Sequence, residues 1–100
     1  IQDPPSPIRP FAVIPVGEEA QIRALQISDD LRRQGFTIEL GYRGNLKRRL
    51  NRANKLNARI AIILGADELA QEAVTLRDFD TGEQELVKFA DLKDQLGRYA

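Results

Sequence analysis

Neither cysteine nor histidine occurs in this 100-residue chain. Without cysteine there is no disulfide, no thiolate metal site and no thiol nucleophile. Without histidine the usual general base of a hydrolytic triad and the commonest transition-metal ligand are both missing. Serine is scarce as well, since Ser6 and Ser28 are the only two. Ordinary hydrolase chemistry is therefore poorly supplied. No apolar run approaches the roughly 18 residues that a membrane helix needs. The first residues, Ile-Gln-Asp-Pro-Pro-Ser-Pro, do not follow a secretory signal pattern and lack an initiator methionine, so a fragment or processed piece is expected. What is present is 42% apolar and 30% charged residues. That is the make-up of one small domain with a single core and, by expectation, a cytoplasmic location.

Fifteen basic residues balance fifteen acidic ones, but the balance is unevenly spread. Residues 1–42 carry four bases against six acids, and residues 60–100 carry four against nine. Between them, residues 43–59 hold Arg43, Lys47, Arg48, Arg49, Arg52, Lys55 and Arg59 with no acid at all. A solvated helix face usually mixes signs, because opposite charges four residues apart stabilise each other. Seven like charges forgo that help, so an anion-facing patch competes with a merely solvated face.

Residues 1–10 contain four prolines and read as a linker, leaving 11–100 as the domain. Phe11–Val16, Phe36–Leu40 and Arg59–Leu64 read as strands, the first and last of them continuous apolar runs of the kind buried on both faces. Between the first two, Ala20, Ala24, Ile27, Ser28 and Leu31 recur at helical spacing, with Glu18 and Glu19 in the first turn, Arg32 and Arg33 in the last, and Gly35 as terminator. Ile22 and Leu25 fall off that stripe and are expected to face contacts outside the domain. Asn45 is a good N-cap for a second helix with Leu46, Leu50 and Ala53 inward. Lys47, Arg48, Asn51, Arg52 and Lys55 lie on its opposite arc, and Asn57 closes it. A short helical turn begins at Gly65. Val74–Phe79 and Glu85–Phe89 read as a hairpin around Asp80–Glu83, and Asp91–Gly97 as a closing helix. The expected fold is a three-layer α/β/α domain with a mixed, mainly parallel five-stranded sheet.

The Gly41-Tyr-Arg-Gly-Asn45 loop sits at a strand-to-helix junction, where open α/β sheets commonly receive ligands. It matches neither the Walker spacing nor the dinucleotide fingerprint, which argues against a flavodoxin-like nucleotide binder. Tyr42 and Arg43 could stack on an unpaired base, although Tyr42 equally fits a half-buried strand end. Asp67 and Glu68 fit a helix N-terminus better than a catalytic pair, and Glu68 could also accept a base amino group.

The series Gly41-Tyr-Arg-Gly-Asn-Leu-Lys-Arg-Arg-Leu50, Ala58-Arg-Ile-Ala-Ile-Ile-Leu-Gly-Ala-Asp-Glu-Leu69 and Val74-Thr-Leu-Arg-Asp-Phe-Asp-Thr-Gly-Glu-Gln84 resembles the C-terminal anticodon-binding domain of bacterial histidyl-tRNA synthetases. The likeness covers about residues 11–96. Many members begin the second helix Ser-Leu-Lys-Lys-Gln, where this chain has Asn45-Leu-Lys-Arg-Arg49. The resemblance implies a parent class II aminoacyl-tRNA ligase that is a homodimer and uses ATP and Mg in a separate catalytic domain. This chain itself would have no catalytic residue, metal or cofactor, and no membrane partner. Its partners would be the anticodon stem-loop of tRNA(His) and the parent's catalytic domain. Lys47, Arg48, Arg52 and Lys55 are the expected phosphate contacts, and Tyr42, Arg43, Asn45 and Glu68 the expected base readers. The alternative is a synthetase-like docking or regulatory module without tRNA charging, because one fold serves many sites.

Overall fold

The apolar runs at residues 11 and 60 become the centre of a sheet, as solid runs must when both faces are covered. The computed structural model describes residues 9–41 and 44–99. Along the chain run β1 (Phe11–Pro15), α1 (Glu18–Arg33), β2 (Ile38–Leu40), α2 (Leu46–Lys55), β3 (Ile60–Leu64), α3 (Ala66–Ala70), β4 (Ala73–Asp78), β5 (Gln84–Lys88) and α4 (Phe89–Gly97). The sheet order is β2-β1-β3-β4-β5. β1 pairs in parallel with β2 and β3, whereas β3 with β4 and β4 with β5 are antiparallel. The mixed five-stranded sheet is thus as expected, but with two pairings of each kind it is not mainly parallel, because β4 and β5 each follow their neighbour in reverse through a short connection. No helix among the described residues is long and apolar enough to cross a membrane.

Period-two alternation sorts the strand residues onto two faces. Phe11, Val13, Ile60, Ile62, Leu64, Val74 and Leu76 pack with Ala20, Ala24 and Leu31 of α1 and with Leu92 and Leu96 of α4. Ala12, Ile14 and Ala61 face the other way and pack with Ala53 and Ala58 at α2. Alanines on both sides of that contact let α2 lie close to β1 and β3. One helix about 10 Å wide covers roughly two strands spaced about 4.8 Å apart. The α2 face of β4 and β5 is consequently left open.

The helix ends follow from their terminal residues. α1 stops where Gly35 takes φ 98°. The Phe36 N–H then reaches back to Leu31 O at 3.1 Å and the Gly35 N–H to Arg32 O at 3.0 Å, satisfying carbonyls that a helix end leaves free. Phe36 is used up in that cap, so β2 begins only at Ile38, later than the sequence suggests. Asn57 ends α2 in the same manner with φ 62°, its following residue donating from Ala58 N to Ala53 O at 3.0 Å. The closing helix starts at Phe89 rather than Asp91, because the Phe89 N–H is fixed on Glu72 O at 2.9 Å. The proposed linker lies mostly outside the described residues. Its described end, Arg9, is tied down by hydrogen bonds to Asn57 O, Ala58 O and Asp80.

Candidate nucleic-acid interface

α2 is the element on which the basic segment is displayed. Asn45 caps it, its Oδ1 accepting from the Arg48 N–H at 2.9 Å, as its residue type predicts. Lys47, Arg48, Asn51, Arg52 and Lys55 are all exposed. Among the described residues none of Lys47, Arg48, Arg52 and Lys55 has a carboxylate within 4.0 Å. Four cations thus project from ten residues without internal compensation, which raises the local positive potential.

The four do not share one side. Lys47 lines a cleft of about 650 Å³ between α2 and the open face of β4, together with Leu46, Leu50, Asn51, Asn54, Arg77 and Phe79. Arg52 lies on the opposite flank of α2, lining a small hollow that Glu39 and Gly41 at the β2 edge also line. Arg48 and Lys55 fall on the crest between the flanks, by helical spacing. The result is a cationic ridge beside a cleft with a half-apolar floor.

Two expectations about α2 change in three dimensions. Leu46, expected inward, is 38% exposed, because the first turn overhangs the cleft where no strand lies beneath it. Arg49 is the residue that turns in, with only 9% of its surface exposed. Its Nη1 donates to Pro15 O and to Gly41 O. Burial lowers the affinity of this guanidinium for its proton relative to the ordinary value, but an arginine remains a cation at neutral pH.

Glu68 stands at the far end of the same sheet face. Its Oε1 accepts from the Gly65 N–H at 2.8 Å and its Oε2 from Thr75 Oγ1 at 3.4 Å. A Cβ on residue 65 would lie 3.0 Å from Oε1, so glycine is what admits the carboxylate there. Each carboxylate oxygen retains a second lone pair, and Asn45 retains its amide donors. Tyr42 and Arg43 lie outside the described residues.

Arg77, Asn54 and Phe79 are cleft residues that the sequence alone did not single out. Arg77 extends along β4 and donates from Nη1 to Gln84 Oε1 on β5 at 3.2 Å. The signal was the alternation Val74-Thr-Leu-Arg-Asp, which puts Thr75 and Arg77 on the face opposite the core. Asn51 and Asn54, one turn apart, add amide donors and acceptors along the α2 wall. Amides, a guanidinium and an aromatic ring on a half-apolar floor suit the recognition of unstacked bases.

The family model described as an anticodon binding domain matches residues 11–98. Over 91 residues the chain is 46% identical to a histidine–tRNA ligase of Rhodospirillum rubrum, covering 91% of this chain and 22% of that protein. Against a histidine–tRNA ligase of Aquifex aeolicus it is 42% identical over 83 residues, with 82% of this chain and 20% of the relative covered. The chain therefore spans about a fifth of the length of these curated relatives. Among solved structures it resembles a histidyl-tRNA synthetase from Nostoc sp. with a TM-score of 0.85 at 29% identity, covering 94% of this chain and 23% of that one. The RNA-binding domain of a threonyl-tRNA synthetase from Cryptosporidium parvum gives 0.83 at 23% identity, over 92% of this chain and 24% of that one. At that identity the likeness is one of fold.

Proposed function

The chain belongs to the anticodon binding domain family, and from that premise we propose that it is the tRNA-reading domain of a histidine–tRNA ligase. The observation that carries the specific reading is the 46% identity to the Rhodospirillum rubrum ligase across nearly the whole chain. The parent would join histidine to its tRNA at the expense of ATP, with Mg, in a catalytic domain outside this chain, as a cytoplasmic homodimer. This domain would carry out no bond-making step.

Its task would be to hold the anticodon stem-loop. Lys47, Arg48, Arg52 and Lys55 would meet backbone phosphates along the ridge. Such contacts fix position and carry no sequence information. Bases turned out of the loop would enter the cleft. Arg77 and Asn51 would read them there, while Tyr42, Arg43, Asn45 and Glu68 would read bases outside the cleft, near the strand ends and the Gly65–Glu68 turn, using donors and acceptors not already spent on caps.

Competition binding between the histidine anticodon stem-loop and the same loop with one anticodon base changed tests this. The native loop should win by about fivefold or more, since one base contact is worth roughly 1–3 kcal/mol on the scale of groove readout. Equal binding of both loops would favour the docking-module alternative.

A further inference from the structure

We propose that Arg9, which does not line the cleft, is a positioning residue for it: one guanidinium holds the two walls of the cleft at a fixed separation. On one side Arg9 Nε donates to Asn57 O at 3.0 Å and Nη2 to Ala58 O at 3.1 Å. On the other, Nη1 and Nη2 meet Asp80 Oδ2 and Oδ1 at 2.9 and 3.0 Å. Both anchorages are stiff. Asn57 and Ala58 form the closing turn of α2, locked by the Ala58 N–H on Ala53 O. Asp80 belongs to the β4–β5 turn, where its own N–H is held by Asp78 Oδ1 at 2.8 Å. The Gly82 N–H is fixed on Asp78 O at 2.7 Å.

Those anchorages are continuous with the cleft walls. Asn54 lines the α2 wall one turn before Asn57, and Phe79 and Gly82 line the opposite wall beside Asp80. Elsewhere α2 rests on β1 and on Ala61 of β3, Arg59 beside Ala58 adds a second guanidinium 3.5 Å from Asp80 Oδ2, and the space between α2 and β4 is the cleft itself. A planar guanidinium with donors in a fixed fork suits this place, since it presents set angles to carbonyls and carboxylate together. Lysine would keep the charge and lose the fork.

The use of the cleft for RNA rests on the reading given above, so the test separates the two. Because the chain has no cysteine of its own, Lys55→Cys on α2 and Glu83→Cys in the β4–β5 turn give a clean pair of spin-label sites, one on each of the two elements that Arg9 joins. Pulsed dipolar spectroscopy on the labelled protein should give one narrow distance, and Arg9→Lys should broaden or lengthen it. Identical distributions would overturn the proposal, whatever happens with RNA. In the unlabelled protein, Arg9→Lys should leave the salt dependence of stem-loop binding unchanged. Discrimination between matched and single-base-changed loops should fall by roughly fivefold, the scale of an indirect coupling. Undiminished discrimination, with only a lower melting temperature, would reduce Arg9 to a staple. If native protein fails to discriminate while the distance still broadens, the wall-setting role stands and the RNA reading fails.

Discussion

Arg49 Nη1 donates to Pro15 O, the carbonyl at which β1 runs out of partner on its β2 side. The Gly41 N–H bonds to Val13 O at 2.9 Å, the last rung of β2 on β1. Alternation along the strand turns Pro15 O toward the same edge. The guanidinium supplies the donor that a longer β2 would have supplied, and its second bond to Gly41 O at 3.0 Å closes the corner.

Replacing Arg49 with Met removes the donor and leaves two carbonyls without it. A buried polar group left unpaired costs about 1–3 kcal/mol. Arg49→Met is expected to lower unfolding stability in urea by about 2 kcal/mol. An unchanged midpoint would show that water serves those carbonyls equally well.

Much of the chain's order was legible in its sequence, and Arg49 marks where legibility ended. Gly35, Asn45 and Asn57 gave helix ends because their side chains, or lack of one, act locally. The cationic arc was legible for the same reason, as it needs only helical spacing. The exchange of Leu46 for Arg49 at the sheet was not, because a helical wheel ranks residues by polarity and carries no knowledge of a neighbouring strand that ends early. Arg77 was missed because the cleft is built from α2 and β4, which come together only across the sheet.

Acid should weaken the fold through Asp78. Burial pushes its carboxyl up, but hydrogen bonds from Arg59 and from the Asp80 and Thr81 amides outweigh this and hold it below the ordinary 3.8. The Arg59 contact is 2.5 Å long and mostly shielded from solvent. A depressed folded-state pKa contributes stability that is fully present above the unfolded value and is lost as pH falls through the folded one. Melting temperature should therefore hold steady down to about pH 5 and fall below about pH 4. The Asp78→Asn variant should melt lower at neutral pH with a shallower acid limb. An identical acid limb in both proteins would remove Asp78 from this account.

Ser28 sits on the inner stripe of α1 at 1% exposure, and its Oγ has no hydrogen-bond partner among the described residues. Ser28→Ala removes an unpaired hydroxyl and improves helix propensity, so it should stabilise the domain by about 1 kcal/mol. Thermal denaturation checks the sign, and a loss of stability would mean the hydroxyl is served after all.

Ile22 and Leu25 are 65% and 58% exposed on the outer side of α1. Changing both to Lys should alter the stability of this chain by less than about 0.5 kcal/mol, as for surface positions in general. A drop of several degrees in Tm would place them in the domain's own core.

If the α2 ridge holds RNA by its phosphates, binding must weaken steeply with salt. With four phosphates met by Lys47, Arg48, Arg52 and Lys55, log K for the histidine anticodon stem-loop should fall against log salt with a slope of roughly −3, at about −0.7 per single-strand phosphate. Lys55→Ala should make that slope shallower by about 0.7 and weaken every loop sequence alike. A flat dependence, or a slope that Lys55→Ala leaves untouched, would contradict the ridge as the phosphate-binding surface.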